Sequence, residues 1–109
     1  MVLHSDAAHV FAALGDSTRL ELLARLQDGQ SHAIVELTEG TGLSRQAISK
    51  HLLVLEIAGL VLSEKVGRES RYVLHRPGFD QAKHYLELAS QQWDDALARL
   101  KQYVEPNNH

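Results

Sequence analysis

The chain has 109 residues, of which 44% are hydrophobic and 23% charged, a balance typical of one small globular domain. It contains no cysteine, which excludes disulfides, zinc–thiolate sites and thiol chemistry. No apolar run approaches the length of a membrane span, and residues 1–11 lack the pattern of a signal peptide. We therefore expect a soluble, cytoplasmic protein without a membrane partner.

Four helices are predicted in the first half of the chain. The first covers 6–14, with Ser5 and Asp6 as candidate caps, and Gly15 breaks it before a second helix at 19–26. The leucines of the second helix, at 20, 22, 23 and 26, are predicted to share one broad apolar face. A short third helix is predicted around 33–39. The segment 40–42, with sequence GTG, then turns the chain into a fourth helix. A short helix, a short turn with glycine and a longer helix form a helix-turn-helix pattern.

The fourth helix, between Gly42 and Gly59, is the segment on which the prediction of function depends. Ser44 is predicted to cap its first turn, and Gly59 to end it. Apolar residues recur at steps of four and three and therefore share one buried face, namely Ile48, Leu52 and Leu55. The residues off that stripe carry donors and acceptors suited to base edges and phosphates, namely Ser44, Arg45, Gln46, Ser49, Lys50 and His51. An amphipathic helix with a merely solvated polar face is the alternative.

Two short strands are predicted after this helix, at 60–65 and 70–74, with a hairpin tip at 66–69. The hairpin carries three basic residues, Lys65, Arg68 and Arg71. The segment 44–76 holds six basic and three acidic residues, a net charge of +3, whereas the rest of the chain holds five basic and eleven acidic residues, or −6. A basic segment on an acidic body is expected where one face of a protein meets a polyanion, although an excess of three charges is a weak signal by itself.

A long last helix is predicted from about 79 to 104. Its apolar residues are spaced almost as heptads, namely Phe79, Ala82, Leu86, Ala89, Trp93, Leu97, Leu100 and Val104. Because this helix is longer than a small core requires, we predict a homodimer through the terminal helices. The predicted interface residues are Val10, Phe11, Leu86, Ala89, Trp93, Leu97 and Leu100. Packing within one chain is the alternative.

The order of these elements predicts a mainly α fold with a small β-hairpin. It is a winged helix-turn-helix, α-α-α-α-β-β-α, in which 1–109 form a single domain and 79–104 its dimerisation helix. A helix about 10–12 Å wide fits the major groove of B-DNA, and a basic hairpin beside it reaches phosphates or the minor groove. A two-fold dimer presents two such helices roughly 34–36 Å apart, which favours a palindromic site.

Three segments together carry a resemblance to a known family: FAALGDSTRLELLARL, GLSRQAISKHLLVLEIAGLV and GRESRYVL. Their combined pattern resembles the ArsR/SmtB family of small bacterial transcriptional repressors over about 10–74. The resemblance implies a dimeric repressor that binds operator DNA. It also implies that Ser44, Arg45, Gln46, Ser49, Lys50 and His51 match the recognition helix, and that Arg68 and Arg71 match the wing.

The same resemblance bears on metals. Metal-sensing members often carry a cysteine box after an E-L pair in the third helix, but here Glu36 and Leu37 are followed by TEG. Sensing of arsenic, lead or cadmium through that box is therefore excluded. Other members bind zinc or nickel with sets of Asp, His and Glu residues. Asp80, His84 and Glu87 are spaced so that they could ligate such a metal from one helix. Because the second set expected about ten residues later is missing, we predict no metal and no cofactor, as in the cysteine-free branch of the family, and we identify no inducer.

No enzymatic activity is predicted. The chain has no cysteine nucleophile, no glycine loop for phosphate and no clustered acid–base pair in a known motif. Ser49, Lys50 and His51 are adjacent on a helix and point apart, so they form no triad. Two other functions stay open: a metal-responsive repressor with an Asp/His/Glu site, and a winged helix that contacts proteins without specific DNA binding. The basic wing, Arg45 and Lys50 favour DNA.

Overall fold

The computed structural model describes residues 5–104, and side chains from residue 7 onward. The predicted caps of the first helix, at positions 5 and 6, lie outside the described side chains. In chain order the elements are α1 (Ser5–Leu14), α2 (Ser17–Arg25), β1 (His32–Ala33), α3 (Ile34–Thr38), α4 (Arg45–Ile57), β2 (Val61–Val66), β3 (Glu69–Leu74) and α5 (Arg76–Val104). The predicted winged helix-turn-helix is confirmed. Between residues 5 and 104, no helix is both long and apolar enough to cross a membrane.

The sheet has three antiparallel strands in the order β1-β3-β2, one strand more than the predicted hairpin. The extra strand, β1, is two residues long and pairs His32 with Tyr72. The pairing of Val66 with Glu69 leaves a two-residue turn, shorter than the predicted tip. Its first residue, Gly67, has φ +63°, a conformation that glycine adopts without steric cost and that suits tight hairpins.

The core lies where α1, α2, α3 and α4 meet the base of the sheet. The largest side chains with almost no exposure are Leu22, Leu26, Leu37, Ile48, Leu52, Leu55, Leu60 and Val61. The stripe predicted for the fourth helix is thus the part of α4 that is buried, with 0% exposure of Ile48, Leu52 and Leu55. The leucines of α2 divide differently from the prediction, because Leu20 is 49% exposed.

The last helix, α5, begins at Arg76, three residues before the predicted start. Pro77 is tolerated there because the first turn of a helix has free N–H groups in any case. Gly78 is required by a close approach, since a Cβ at this position would overlap the carbonyl oxygen of Gly59. Phe79 and Ala82 then pack on the core. The rest of the 29-residue helix carries exposed apolar side chains, and the molecule is 70 Å long but only about 26 Å wide.

Candidate nucleic-acid interface

The entrance to α4 is fixed by local hydrogen bonds. Gly40 and Gly42 turn the chain with φ of +76° and +72°. Thr41 lies between them, and its hydroxyl donates to the carbonyl of Thr38 at 2.7 Å and accepts from the N–H of Leu43 at 3.1 Å. Ser44 caps α4 as predicted, with its hydroxyl accepting from the N–H of Ala47 at 3.1 Å. The first turn of α4 is therefore held in place while its outer face stays open.

That outer face is polar and exposed. Five of the predicted DNA-binding residues are exposed around the first two turns of α4, namely Ser44, Arg45, Gln46, Ser49 and Lys50. Within residues 5–104, neither Arg45 nor Lys50 forms an ion pair, and the same holds for the exposed hairpin residues Lys65 and Arg68. These four cations are consequently available to an external polyanion.

A groove of about 430 Å³ joins this face of α4 to the hairpin. Arg45, Gln46 and Ser49 line it from α4, and Arg68 lies on the hairpin side. The groove also has an apolar wall from the start of α3, where Val35 is 47% exposed. The prediction from sequence missed Val35, although its position beside the inward-facing Ile34 places it on the outer side of a short helix. Helix α4 and the hairpin therefore form one continuous surface.

Arg71, the third basic residue predicted for the wing, is engaged within the protein. Its Nε donates to the hydroxyl of Ser31 at 3.0 Å, and one terminal nitrogen donates to the Ser31 carbonyl at 2.9 Å. The other terminal nitrogen donates to a carboxylate oxygen of Glu69 at 3.1 Å. Arg71 therefore fastens the segment before β1 to the central strand, a structural role that the sequence pattern did not indicate.

His51 also differs from its neighbours on α4, because its side chain is half-buried. The ring nitrogen Nδ1 lies 3.2 Å from a terminal nitrogen of Arg19 on α2. It also lies 3.7 Å from a carboxylate oxygen of Asp16, the residue that caps α2. The N–H of Arg19 donates to the Asp16 carboxylate, and this is the main cause that lowers the Asp16 pKa.

A charged cluster forms at β1, on the side of the sheet away from β2. His32 Nε2 lies 2.9 Å from a carboxylate oxygen of Asp28, and Nδ1 lies 3.1 Å from one of Glu36. Hydrogen bonds to Glu36 and then to Asp28 raise the pKa of His32. The hydrogen bond from His32 lowers the Glu36 pKa, while the N–H of Gln30, followed by His32, lowers that of Asp28. The sequence prediction did not include this cluster.

The residues considered for a metal lie on the first turns of α5. The carboxylate of Asp80 is 3.5 Å from Nε of Arg76, one turn earlier. His84 and Glu87 are exposed on the same helix. Across residues 5–104, no group of three or more His, Asp or Glu side chains is arranged to hold a metal ion.

The predicted dimer residues fall into two groups. Val10, at 7% exposure, packs into the core of its own chain and has little surface left for a partner. Phe11 and Ala89 are half-buried. The large residues along α5 are more than half exposed, namely Leu86, Trp93, Leu97 and Leu100. Any interface would therefore depend mainly on α5.

Comparisons with known proteins agree with this architecture. Residues 16–63, from the start of α2 into β2, match the family described as "Bacterial regulatory protein, arsR family". An uncharacterized HTH-type transcriptional regulator of Bacillus subtilis (strain 168), YuzN, is 45% identical over 65 residues, which cover 54% of this chain and 71% of YuzN. The HTH-type transcriptional regulator Rv2034 of Mycobacterium tuberculosis (strain ATCC 25618 / H37Rv) is 33% identical over 96% of this chain and 94% of its own length.

Among solved structures, an ArsR-like transcriptional regulator from Rhodococcus sp. RHA1 superposes with a TM-score of 0.76 at 41% identity. The match covers 91% of this chain and 92% of the Rhodococcus chain, so it extends into both terminal helices. The relatives are transcriptional regulators rather than enzymes. The prediction of a winged helix-turn-helix, DNA-binding transcriptional regulator is confirmed, and the chain belongs to the ArsR family of bacterial regulatory proteins.

Proposed function

We propose that this protein is a cytoplasmic homodimeric repressor that binds a palindromic operator in double-stranded DNA. Each subunit places α4 in a major groove and the β2–β3 hairpin, its wing, along the neighbouring backbone. The observation that carries the proposal is the groove in which the exposed face of α4 meets Arg68 of the wing. Family membership supports the use of this surface on DNA.

The chemistry of the face suggests how its residues divide the work. Arg45 and Gln46 lie in the first turn of α4, where side chains enter the groove first, and suit bidentate bonds to guanine and adenine respectively. Ser44 and Ser49 supply shorter donors and acceptors. Lys50, Lys65 and Arg68 suit phosphate contacts, since they are exposed cations without an ion-pair partner in residues 5–104.

The exposed stripe of α5 supports the proposed dimer. Four large apolar side chains, Leu86, Trp93, Leu97 and Leu100, are 55–62% exposed along one helix. A contiguous apolar surface of this kind marks an interaction site, and a second copy of the same helix is complementary to it. A two-fold axis there would present two α4 helices to successive major grooves, roughly 34–36 Å apart.

Repression is the regulatory effect that we propose, because a dimer seated on promoter DNA excludes RNA polymerase from the same site. Release by a thiol-bound metal does not apply, since the chain has no cysteine.

The operator can be identified by selecting DNA from a random pool with the purified protein. Fluorescence anisotropy then compares the selected sequence with a scrambled one at two salt concentrations. We expect a palindromic selected site, tighter binding to it, and affinity that falls steeply with salt because phosphate contacts release counterions. Equal affinity for both sequences would overturn the specific operator, and a dimer without affinity for any DNA would favour a protein-contact module.

A further inference from the structure

Arg19 joins three helices through one guanidinium. It is the third residue of α2, but its side chain reaches the end of α1, where Nε donates to the carbonyl of Ala13 at 2.8 Å and a terminal nitrogen donates to that of Ala12 at 3.3 Å. These carbonyls belong to the last turn of α1, where helices leave acceptors free, and that of Ala12 also accepts the N–H of Gly15 at 3.2 Å. The remaining terminal nitrogen faces Nδ1 of His51 on α4 at 3.2 Å.

The chemistry of this contact fixes the state of the imidazole. A guanidinium donates hydrogen bonds and has no acceptor, so Nδ1 of His51 must accept with its lone pair. Nε2 is then the ring nitrogen that carries the N–H. Asp16 does not compete for Nδ1, because its nearest carboxylate oxygen lies at 3.7 Å and already accepts the N–H of Arg19 at 3.0 Å.

The proton-bearing nitrogen faces outward. Residues 5–104 offer His51 Nε2 no hydrogen-bond partner. In the same part of the chain, every buried side-chain nitrogen or oxygen has a partner. Nε2 is therefore in contact with solvent, on the residue that follows the exposed Lys50.

We propose that Arg19 is a positioning residue for DNA binding: it holds His51 as the Nε2–H tautomer, so that one fixed donor meets a backbone phosphate beside α4. The inference rests on the proposed function. Contacts to phosphates set the register of a protein on the duplex without selecting bases. The same guanidinium donates to the last turn of α1, so Arg19 links the position of α4 to α1 as well as to α2.

A double-mutant cycle in DNA affinity tests the proposal. The variants are Arg19→Met, which keeps an apolar stem without donors, His51→Leu, and the combination of both. We expect each single variant to weaken binding to the selected DNA about tenfold, as befits one hydrogen bond to a charged group. The double variant should be no weaker than His51→Leu, because Arg19 acts through His51. Losses that multiply would overturn the proposal and leave Arg19 a merely structural residue.

Arg25→Met is the matched control. Arg25 lies on the same helix, and its guanidinium also joins elements, by donating to the carbonyls of Leu37 and Glu39. Arg25→Met should change DNA affinity by the same factor in the unaltered protein and in the His51→Leu variant. His51→Gln covers the case in which Arg19→Met fails to fold, because the glutamine amide can accept from Arg19 and still donate outward. It should bind DNA more tightly than His51→Leu, and equal affinities would contradict the proposal.

Nitrogen-15 NMR of the free protein separates this inference from the proposed function. The His51 resonances, assigned by their loss in His51→Leu, should show protonated Nε2 and unprotonated Nδ1, and Arg19→Met should produce a mixture of tautomers. A protonated Nδ1 in the unaltered protein would overturn the proposed Arg19–His51 hydrogen bond, regardless of the DNA-binding results. A correct tautomer together with equal affinity for selected and scrambled DNA would instead overturn the proposed function.

Discussion

Helices α4 and α5 are both amphipathic, but they use their apolar sides in opposite ways. In α4, Ile48, Leu52 and Leu55 are 0% exposed, because the chain's own core covers them. In α5, Trp93, Leu97 and Leu100 are 56–62% exposed, because no other element of the described chain reaches them. An apolar stripe along a helix therefore identifies a surface suited to burial, but it does not show whose atoms bury it.

The two helices consequently offer different surfaces to partners. The polar face of α4 is confined to its first two turns, since Leu53 and Ile57 nearer its end are 53% and 70% exposed. It is suited to a polyanion. The outer part of α5 offers apolar area, which suits a second copy of the chain.

The largest effect is expected on α5. The double variant Trp93→Glu/Leu97→Glu places two charges in the proposed interface and should raise the dimer dissociation constant at least roughly 100-fold, because burying unpaired carboxylates is costly. Sedimentation velocity measures the change. Gln91→Glu, on the opposite side of the same turn, should leave the dimer intact. An unchanged dimer in the double variant would move the interface away from this stripe.

A core substitution in α4 should act on folding instead. Leu52→Ala removes a side chain with no exposure and should lower the free energy of unfolding by about 2–5 kcal/mol. Leu97→Ala should instead make stability more dependent on protein concentration, because in the proposed dimer its contacts lie between chains. Urea denaturation at several protein concentrations distinguishes the two. Similar losses at every concentration would place Leu97 in an intrachain core.

The exposed face of α4 should differ from the wing in what it contributes to binding. Arg45→Ala should reduce discrimination between selected and scrambled DNA by about 1–3 kcal/mol, if it makes a bidentate base contact. Arg68→Ala should weaken binding to all DNA and reduce the salt slope by about 1. Anisotropy titrations at several salt concentrations measure both. A loss of discrimination alone in Arg68→Ala would show that the wing contacts bases.

How well the sequence predicted the fold depended on how local the determinants were. The cap at Ser44, the stop at Gly59 and the buried stripe of α4 are set within a few turns, and the structure has all three. Strand β1 was missed because two residues have no periodicity and pair with β3 forty residues later. The early start of α5 depends on Gly78 approaching Gly59, a contact that spacing along the chain does not indicate.

The candidate site shows the same division. Periodicity alone indicated that Arg45, Gln46 and Lys50 are exposed, since they lie off the buried stripe. It could not indicate that His51 faces Arg19, 32 residues earlier, or that Arg71 is bound by Ser31, 40 residues away. Arg19 and Ser31 lie in segments whose positions only the packed core determines.

The smallest effect on stability is expected at the sheet that holds the wing beside α4, and a variant on α5 serves as the control. The raised His32 pKa means that protonation stabilises the fold, an effect fully present below the ordinary value of 6.5 and lost as pH rises through the higher folded pKa. The lowered pKa values of Asp28 and Glu36 mean that their charged forms also stabilise the fold. That stabilisation is present above the ordinary pKa values of 3.8 and 4.5 and is lost as pH falls through the lower folded values.

His32→Gln should therefore lower Tm more at pH 6 than at pH 8.5, by a few degrees at most because the cluster is largely exposed. His84→Gln, exposed on α5, should show no such difference in thermal unfolding followed by circular dichroism. An equal loss at both pH values for His32→Gln would mean that the two carboxylates do not stabilise a charged imidazole, and that the β1 end of the sheet is held by Arg71 and strand pairing alone.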